Sequence, residues 1–281
     1  MKLIKPSFQI IEPTGYTIDD IYKSIELAGK VSHKSEDTIT EDSAKKFVDR
    51  MIKLGHGATL EFGTVYLKVP KYKIYRDGAF QFNEPTYYTR NLYYKTYCNN
   101  DYLYITTNYR YIIENKLEHW LQFLCEPTEY HEKRICVKFI CDRGILAEFT
   151  RHRKFSFMAE SSRYNNYSKD KFNNEITFIY PGCNYIKTAI YNGIDNFDGD
   201  YFEHSLREAE VYYFKLLELG WKPQQARAVL PNALKTELYM CGFAEDWEKF
   251  LELRTASNAH PQARELAIPL RDEFIKRHLL D

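Results

Sequence analysis

The run Ile135-Cys136-Val137-Lys138-Phe139-Ile140-Cys141 reads as a strand, and it passes without a linker into a helix. Asp142 can cap that helix, and Ile145, Leu146 and Phe149 recur at the spacing of its inward face. A strand handed directly to a helix requires a fold in which both kinds of element share a core. The rest of the chain repeats the mixture. Thr17, with Asp20 three residues on, opens a helix whose apolar stripe is Ile18, Ile21, Ile25 and Ala28. Ala44, Phe47, Met51 and Leu54 predict a second helix, stopped by Gly55. Thr64 to Val69 reads as a strand terminated by Pro70. Phe202, Leu206, Ala209, Tyr213, Leu216 and Leu217 make the clearest amphipathic helix, ended by Gly220, and Pro223 suits the first turn of the next. A short strand, Thr236 to Met240, precedes helices over 245–254 and 262–278. Regular βαβ units and internal repeats are absent. The expected class is α/β in the mixed α+β sense: a single domain over 1–281, with a mixed sheet flanked by helices plus helical additions.

Charge and length narrow the function classes. The 281 residues carry 39 basic and 39 acidic side chains, and a net charge of zero gives no global field for nucleic acid or an anionic membrane. No apolar run approaches the roughly 20 residues needed to cross a bilayer. Met1-Lys2-Leu3-Ile4-Lys5-Pro6 lacks the apolar stretch of a signal peptide, so a cytoplasmic location is expected. Cys98, Cys125, Cys136, Cys141, Cys183 and Cys241 include no C-x-x-C pair, and reduced thiols without a metal site are expected. Cys136 and Cys141, five apart on one strand, should point to opposite faces. Residues 71–133 are rich in tyrosine, asparagine and charge, with one helical patch at 117–124, and read as an elaboration on the core.

Chemistry concentrates in residues 151–164, Arg-His-Arg-Lys-Phe-Ser-Phe-Met-Ala-Glu-Ser-Ser-Arg-Tyr, where a helix hands over to irregular chain. A planar guanidinium offers paired charge-assisted hydrogen bonds to phosphate, each worth about 1.5–3 kcal/mol. By residue type alone, Arg151-His152-Arg153 is as simply a solvated basic helix end, favoured by the helix dipole. The whole run, however, resembles the signature of the flavin-dependent thymidylate synthases, R-H-R-x-x-S-x-x-x-x-S-x-R-Y. Arg151, His152, Arg153, Ser156, Ser161, Arg163 and Tyr164 all fall in register. Met158 and Ala159 depart from the Asn-Glu or Ser-Gln that the family often carries, with Glu160 the nearest polar replacement.

Other landmarks follow in the family's order. Residues 56–62 resemble H-x-[ST]-x-[LF]-E-H; His56 and Glu61 match, whereas Ala58 and Phe62 depart. Ser32 is similar to a serine of the family that touches flavin, although by position it equally suits a helix-end cap. Ala226 to Pro231 resembles A-R-x-x-L-P, and Trp247 to Arg254 resembles the helix that ends in Leu-Arg, with Lys249 where some members carry asparagine. Ala259 to Glu265, including His260, is similar to the start of the family's last helix. These landmarks span Ser32 to Arg264, with 71–133 outside them.

The resemblance implies a thymidylate synthase-complementing-like fold and reductive methylation of dUMP to dTMP. It implies 5,10-methylenetetrahydrofolate as one-carbon donor, FAD relaying hydride from NADPH, and release of tetrahydrofolate. Ser161, Arg163, Arg227 and Arg254 would bind dUMP, with Arg254 catalytic at the uracil ring. Ser32, His56, Glu61, Arg151, His152 and Arg153 would bind FAD, and Tyr164 would line the folate or nucleotide side. A homotetramer with shared active sites is implied. None of the six cysteines lies in a landmark, and Ser161 has no histidine placed by motif to activate it, so neither is read as the nucleophile. Two other readings stand beside this one. Tyrosines interleaved with basic residues over 71–112 suit a nonenzymatic RNA-binding module, which zero net charge disfavours. A flavoprotein of this fold acting on another uracil-containing substrate would bind FAD yet fail with dUMP.

Overall fold

The computed structural model describes residues 1–73, 88–90, 93–182, 188–191 and 194–280; the expectation for Cys183 lies outside them. The chain opens with β1 (Lys2–Ile4), β2 (Ser7–Ile11), α1 (Ile18–Lys30), α2 (Ser43–Lys53) and the single turn α3 (Gly57–Leu60). There follow β3 (Thr64–Pro70), β4 (Tyr88–Arg90), β5 (Lys95–Cys98), β6 (Tyr102–Asn108), α4 (Tyr109–Glu114), β7 (Arg134–Asp142), α5 (Arg143–Phe149) and β8 (Ser156–Ala159). The last part holds β9 (Thr177–Ile179), β10 (Thr188–Tyr191), β11 (Ile194–Phe197), α6 (Asp198–Glu218), α7 (Pro223–Ala226), β12 (Lys235–Phe243), α8 (Ala244–Thr255) and α9 (Pro261–Lys276).

The class is mixed α and β, but the strands divide among several sheets instead of forming one. Four-stranded sheets run in the orders β2-β7-β12-β8 and β3-β6-β5-β4, and β1-β9 and β10-β11 form pairs of their own. Every pairing in the two larger sheets is antiparallel. The spine of the first is the nine-residue register of β7 with β12, from Arg134 opposite Phe243 to Asp142 opposite Lys235. Both spine strands pass straight into helices, α5 and α8. One face of the sheet, with Val137, Phe139, Cys141, Leu238 and Met240, packs on Trp247 and Phe250 of α8 and on Leu266, Leu270 and Phe274 of α9. Each fully buried side chain of this size contributes roughly 1.5–3 kcal/mol relative to exposure.

The second sheet has its own core, in which Val65, Leu67, Val69, Leu103 and Ile105 meet Ile21 and Ile25 of α1 and Val48 and Met51 of α2. The halves join through Ala28, Val31 and Phe62, which pack on Tyr239 and Cys241 on the other face of the first sheet. The 95–124 stretch therefore differs from the expected elaboration. β6 pairs with β3 over seven residues, and Leu103, Ile105, Ile112, Leu117 and Trp120 are buried in this core. Its tyrosine-rich composition masks that alternation, and the patch at 117–124 folds as a 3-10 turn over Glu118–Phe123.

Local signals elsewhere hold. Thr17 and Asp20 form a reciprocal capping box on α1. Asp142 accepts from the Ile145 amide at 2.7 Å to start α5. Gly55 and Gly220 end their helices with φ of +68° and +88°, where glycine alone is unstrained. On α2 the buried stripe is Ala44, Val48 and Met51, while Leu54 at the helix end is exposed. β12 extends to nine residues, beyond the expected 236–240. Cys136 and Cys141 do lie on opposite faces of β7, the latter fully buried in the first core. Among the described residues no helix is long and apolar enough to cross a membrane.

Candidate functional site

The 151–164 run is not irregular throughout. Ser156–Ala159 is β8, the edge strand paired to β12 from Cys241 opposite Ser156 to Leu238 opposite Ala159. This explains two apolar departures from the signature: Met158 packs beside Phe62 and Tyr239, and Ala159 against the first core. β8 also separates the basic residues into two groups, across an extended span of roughly 13 Å for four residues.

Upstream of β8, the Arg254 guanidinium at the end of α8 reaches back to α5. It donates from Nε to His152 Nε2 at 2.9 Å, from Nη1 to Glu148 Oε2 at 2.9 Å and from Nη2 to the Glu148 carbonyl at 2.7 Å. Arg254 is 14% exposed, whereas Arg151, 3.5 Å from the other Glu148 oxygen, is 74% exposed. Burial and then the Arg254 charge push His152 down to about 4, so its ring is neutral and accepts at Nε2. Arg153 is exposed and has no ion pair among the described residues. A cavity of about 360 Å³ adjoins this group and is lined by Glu148, Asp142, Gln262 and His260, the N-cap of α9.

Downstream of β8 the arginines have neutral partners. Arg163 Nε donates to Gln224 Oε1 of α7 at 3.3 Å, and its amide to Ser161 Oγ at 3.3 Å. Arg227 Nη1 donates to the buried Ser162 Oγ at 3.0 Å. Neither guanidinium has a carboxylate partner among the described residues. Two uncompensated forks beside two serines make a receptive place for a dianion. Tyr164 is exposed, lies under the Arg163 guanidinium and packs on His33 with ring centroids 4.5 Å apart.

The Ser161 amide also donates to the Ser32 carbonyl at 3.1 Å, while Ser32 Oγ donates back to Gly29, as its cap reading requires. Ser32, His33, Arg50 and His56 line a groove of about 490 Å³ between α1 and α2. Burial, then Lys171, Arg50 and His56, lower the His33 pKa. Glu61 is tied instead to Arg110 at 2.7 Å, bridging α3 to α4. Glu160 does not face the arginines. It pairs with Lys235, in a network where Lys34, Lys138 and Lys235 surround Glu237. Burial opposes ionisation of Glu237, but those cations outweigh it and hold the carboxyl at about 2.

Glu148, Ser162, His33 and Gln224 were not legible as site residues. Only Glu148 carried a signal, three positions before Arg151 on a helix. Lys249, at the departing landmark position, is exposed and pairs with Glu245. Among the described residues, the one cysteine near a histidine is Cys125, 3.9 Å from His131. His131 Nδ1 accepts from the Thr128 amide and Nε2 faces the Leu67 carbonyl, so the ring has no free lone pair for a thiol proton. Tyr130 stacks on Tyr97 with ring centroids 5.1 Å apart and packs at a tilt on Tyr104 at 4.8 Å, which leaves fewer faces for bases.

The family described as Thymidylate synthase complementing protein matches residues 104–278. The chain belongs to that family. The match begins inside the tyrosine-rich stretch, so the family's own sequence includes β6 and α4. The chain is 29% identical over 141 residues to the probable flavin-dependent thymidylate synthase of Paramecium bursaria Chlorella virus 1, covering 48% of this chain and 62% of that protein. It is 27% identical over 152 residues to the flavin-dependent thymidylate synthase of Haloarcula marismortui, covering 50% and 61%. For that of Sulfurisphaera tokodaii the figures are 29% over 131 residues, covering 47% and 46%. The chain thus spans about half to three-fifths of the length of these relatives. Among solved structures, a UMP/dUMP methylase of Streptomyces cacaoi bound with 5-Br UMP aligns with a TM-score of 0.46 and 14% identity, covering 98% of this chain and 92% of that one.

Proposed function

We propose that the protein is a flavin-dependent thymidylate synthase, which methylates dUMP to dTMP with 5,10-methylenetetrahydrofolate and releases tetrahydrofolate. The observation that carries this reading is the pair Arg163 and Arg227, whose guanidinium groups, among the described residues, hydrogen-bond only to the neutral Gln224 and Ser162. Among the described residues each leaves four of its five N–H groups without a protein partner, enough for fork-like bonds to a nucleotide phosphate. Ser161, one residue from Ser162, completes the dUMP side.

Arg254 is the catalytic group in this reading. Three of its five N–H groups are engaged, leaving one on Nη1 and one on Nη2. Glu148 and His152 hold that face of the guanidinium in one orientation. Negative charge spread over the uracil oxygens, which makes C5 nucleophilic toward the one-carbon unit, is stabilised by donors that need no reorganisation. A cysteine nucleophile is not required.

The groove between α1 and α2 fits an extended anionic cofactor. Lys30, His33, Lys46, Arg50 and His56 line it, against one carboxylate, Glu26, which Lys30 already holds at 3.0 Å. FAD would be held by Ser32, His56, Glu61, Arg151, His152 and Arg153, and when bound it carries the hydride, drawn from NADPH, that completes the methyl group. Because β8 parts Arg254 from Arg163 within one chain, a site that uses both is best built from neighbouring copies, as in a homotetramer. The test is an anaerobic assay with dUMP, methylenetetrahydrofolate and NADPH. Yellow protein that forms dTMP with tetrahydrofolate is expected; dihydrofolate as product would exclude the hydride route through flavin.

A further inference from the structure

Cys136 and Cys241 are direct partners across β7 and β12. Opposed residues of an antiparallel pair have Cα atoms about 4.5–5.5 Å apart, inside the roughly 4.4–6.8 Å that a disulfide bridges, and their side chains share a face. That face is the one away from α8 and α9. Both thiols line an apolar cavity of about 350 Å³ walled by Tyr16, Phe62, Tyr66 and Tyr239.

The surroundings single out one sulfur as nucleophile. The neighbouring Cys136 thiol lowers the pKa of Cys241 against the opposing cost of burial, helped by the Arg134 guanidinium and the Thr64 hydroxyl, while Cys241 and burial push Cys136 up. Arg134 stays in place because it also donates to the Glu61 carbonyl and to Thr64. The other cysteines give the contrast. Burial pushes the thiol of Cys141 up, on the opposite face of the same strand. Burial likewise raises Cys125, whose histidine neighbour cannot take its proton.

We propose that Cys136 and Cys241 form a dithiol modification site that takes hydrogen peroxide or a small organic hydroperoxide and closes to a disulfide. The Cys241 thiolate attacks one peroxide oxygen, the O–O bond breaks, and Cys241 becomes a sulfenic acid with loss of hydroxide. Cys136 sulfur then attacks Cys241 sulfur, the S–O bond breaks, and the Cys136 proton leaves with that oxygen as water. Two thiols and one hydrogen peroxide yield one disulfide and two waters; with an organic hydroperoxide the first leaving group is the alkoxide, and the products are one disulfide, one alcohol and one water. The bond would lie within the cluster of Ala28, Val31, Phe62 and Met158, the packing between the end of α1 and β8. Thiol state is thereby coupled to the support of Ser32 and of the signature strand.

The test treats the full-length protein with limiting hydrogen peroxide, then measures intact mass and maps disulfides under nonreducing conditions. The expected result is a loss of two hydrogens and two titratable thiols, a single linkage of Cys136 to Cys241, and reversal by dithiothreitol. Cys141→Ser should behave as wild type, Cys241→Ser should lose the product, and Cys136→Ser should leave Cys241 trapped as a dimedone-reactive sulfenic acid. Unchanged mass in the folded wild type, a linkage between other cysteines, or an undiminished product in Cys241→Ser would each overturn the proposal.

Discussion

Replacement of Arg254 by alanine separates catalysis from folding, because the structure sets a different magnitude for each. Three hydrogen bonds are lost, two to Glu148 and one to His152. The Glu148 side chain is 29% exposed and can rehydrate, so the net cost is about 1–3 kcal/mol, toward the lower end of what charged hydrogen bonds are worth. For a domain of this size each kcal/mol lowers Tm by roughly 2–4 °C, leaving folded, flavin-loaded protein at room temperature. Catalysis should suffer far more. Losing a pre-organised donor to a developing oxyanion costs about 2.7–4 kcal/mol, or roughly 10²–10³ in kcat, and Arg254 has two N–H groups free for the task. The assay is anaerobic dTMP formation, run beside flavin absorbance and a thermal melt of the same preparation. Arg254→Lys keeps charge but not the fork, and should rescue stability more than turnover. Turnover of Arg254→Ala within a few-fold of wild type, with flavin retained, would refute the role; turnover lost together with flavin and fold would make Arg254 structural.

Arg163→Ala and Arg227→Ala should each weaken dUMP binding about 10- to 100-fold with little change in Tm, since each guanidinium leaves only a neutral partner behind; nucleotide titration by calorimetry measures this. If sites combine copies, mixing Arg163→Ala and Arg254→Ala chains under refolding should restore part of the turnover that either alone lacks, and no recovery above the two separate baselines counts against shared sites. His152 refuses in the folded state a proton that it accepts when unfolded, so its stabilising effect is complete above about pH 6.5 and is lost as pH falls toward about 4. Urea midpoints of His152→Gln should accordingly fall less between those pH values than those of wild type; parallel slopes would exclude the effect. Gly242→Ala would drive a Cβ into the Phe155 ring, just ahead of β8, and should cost roughly 1–3 kcal/mol by forcing that ring off Trp247; an unchanged melt would show that the ring moves freely.

What the sequence made legible follows from the range of the interactions involved. The capping box of Thr17 and Asp20, the stops at Gly55 and Gly220 and the strand-to-helix passage at Asp142 are settled within a few residues, and all appear as expected. The division into two sheets depends instead on which strands find each other across the chain, as β2 and β7 do, and no local period encodes it. The same limit applies within the site. Arg163 and Arg151 belong to one signature and are chemically identical, yet Glu148 partly neutralises Arg151 and holds Arg254, while Gln224 leaves the charge of Arg163 whole. Which arginine can still grip an anion is decided by residues brought in from α5 and α7. A signature therefore names the groups a site can draw on, and the folded neighbourhood determines which of them arrive with their charge available.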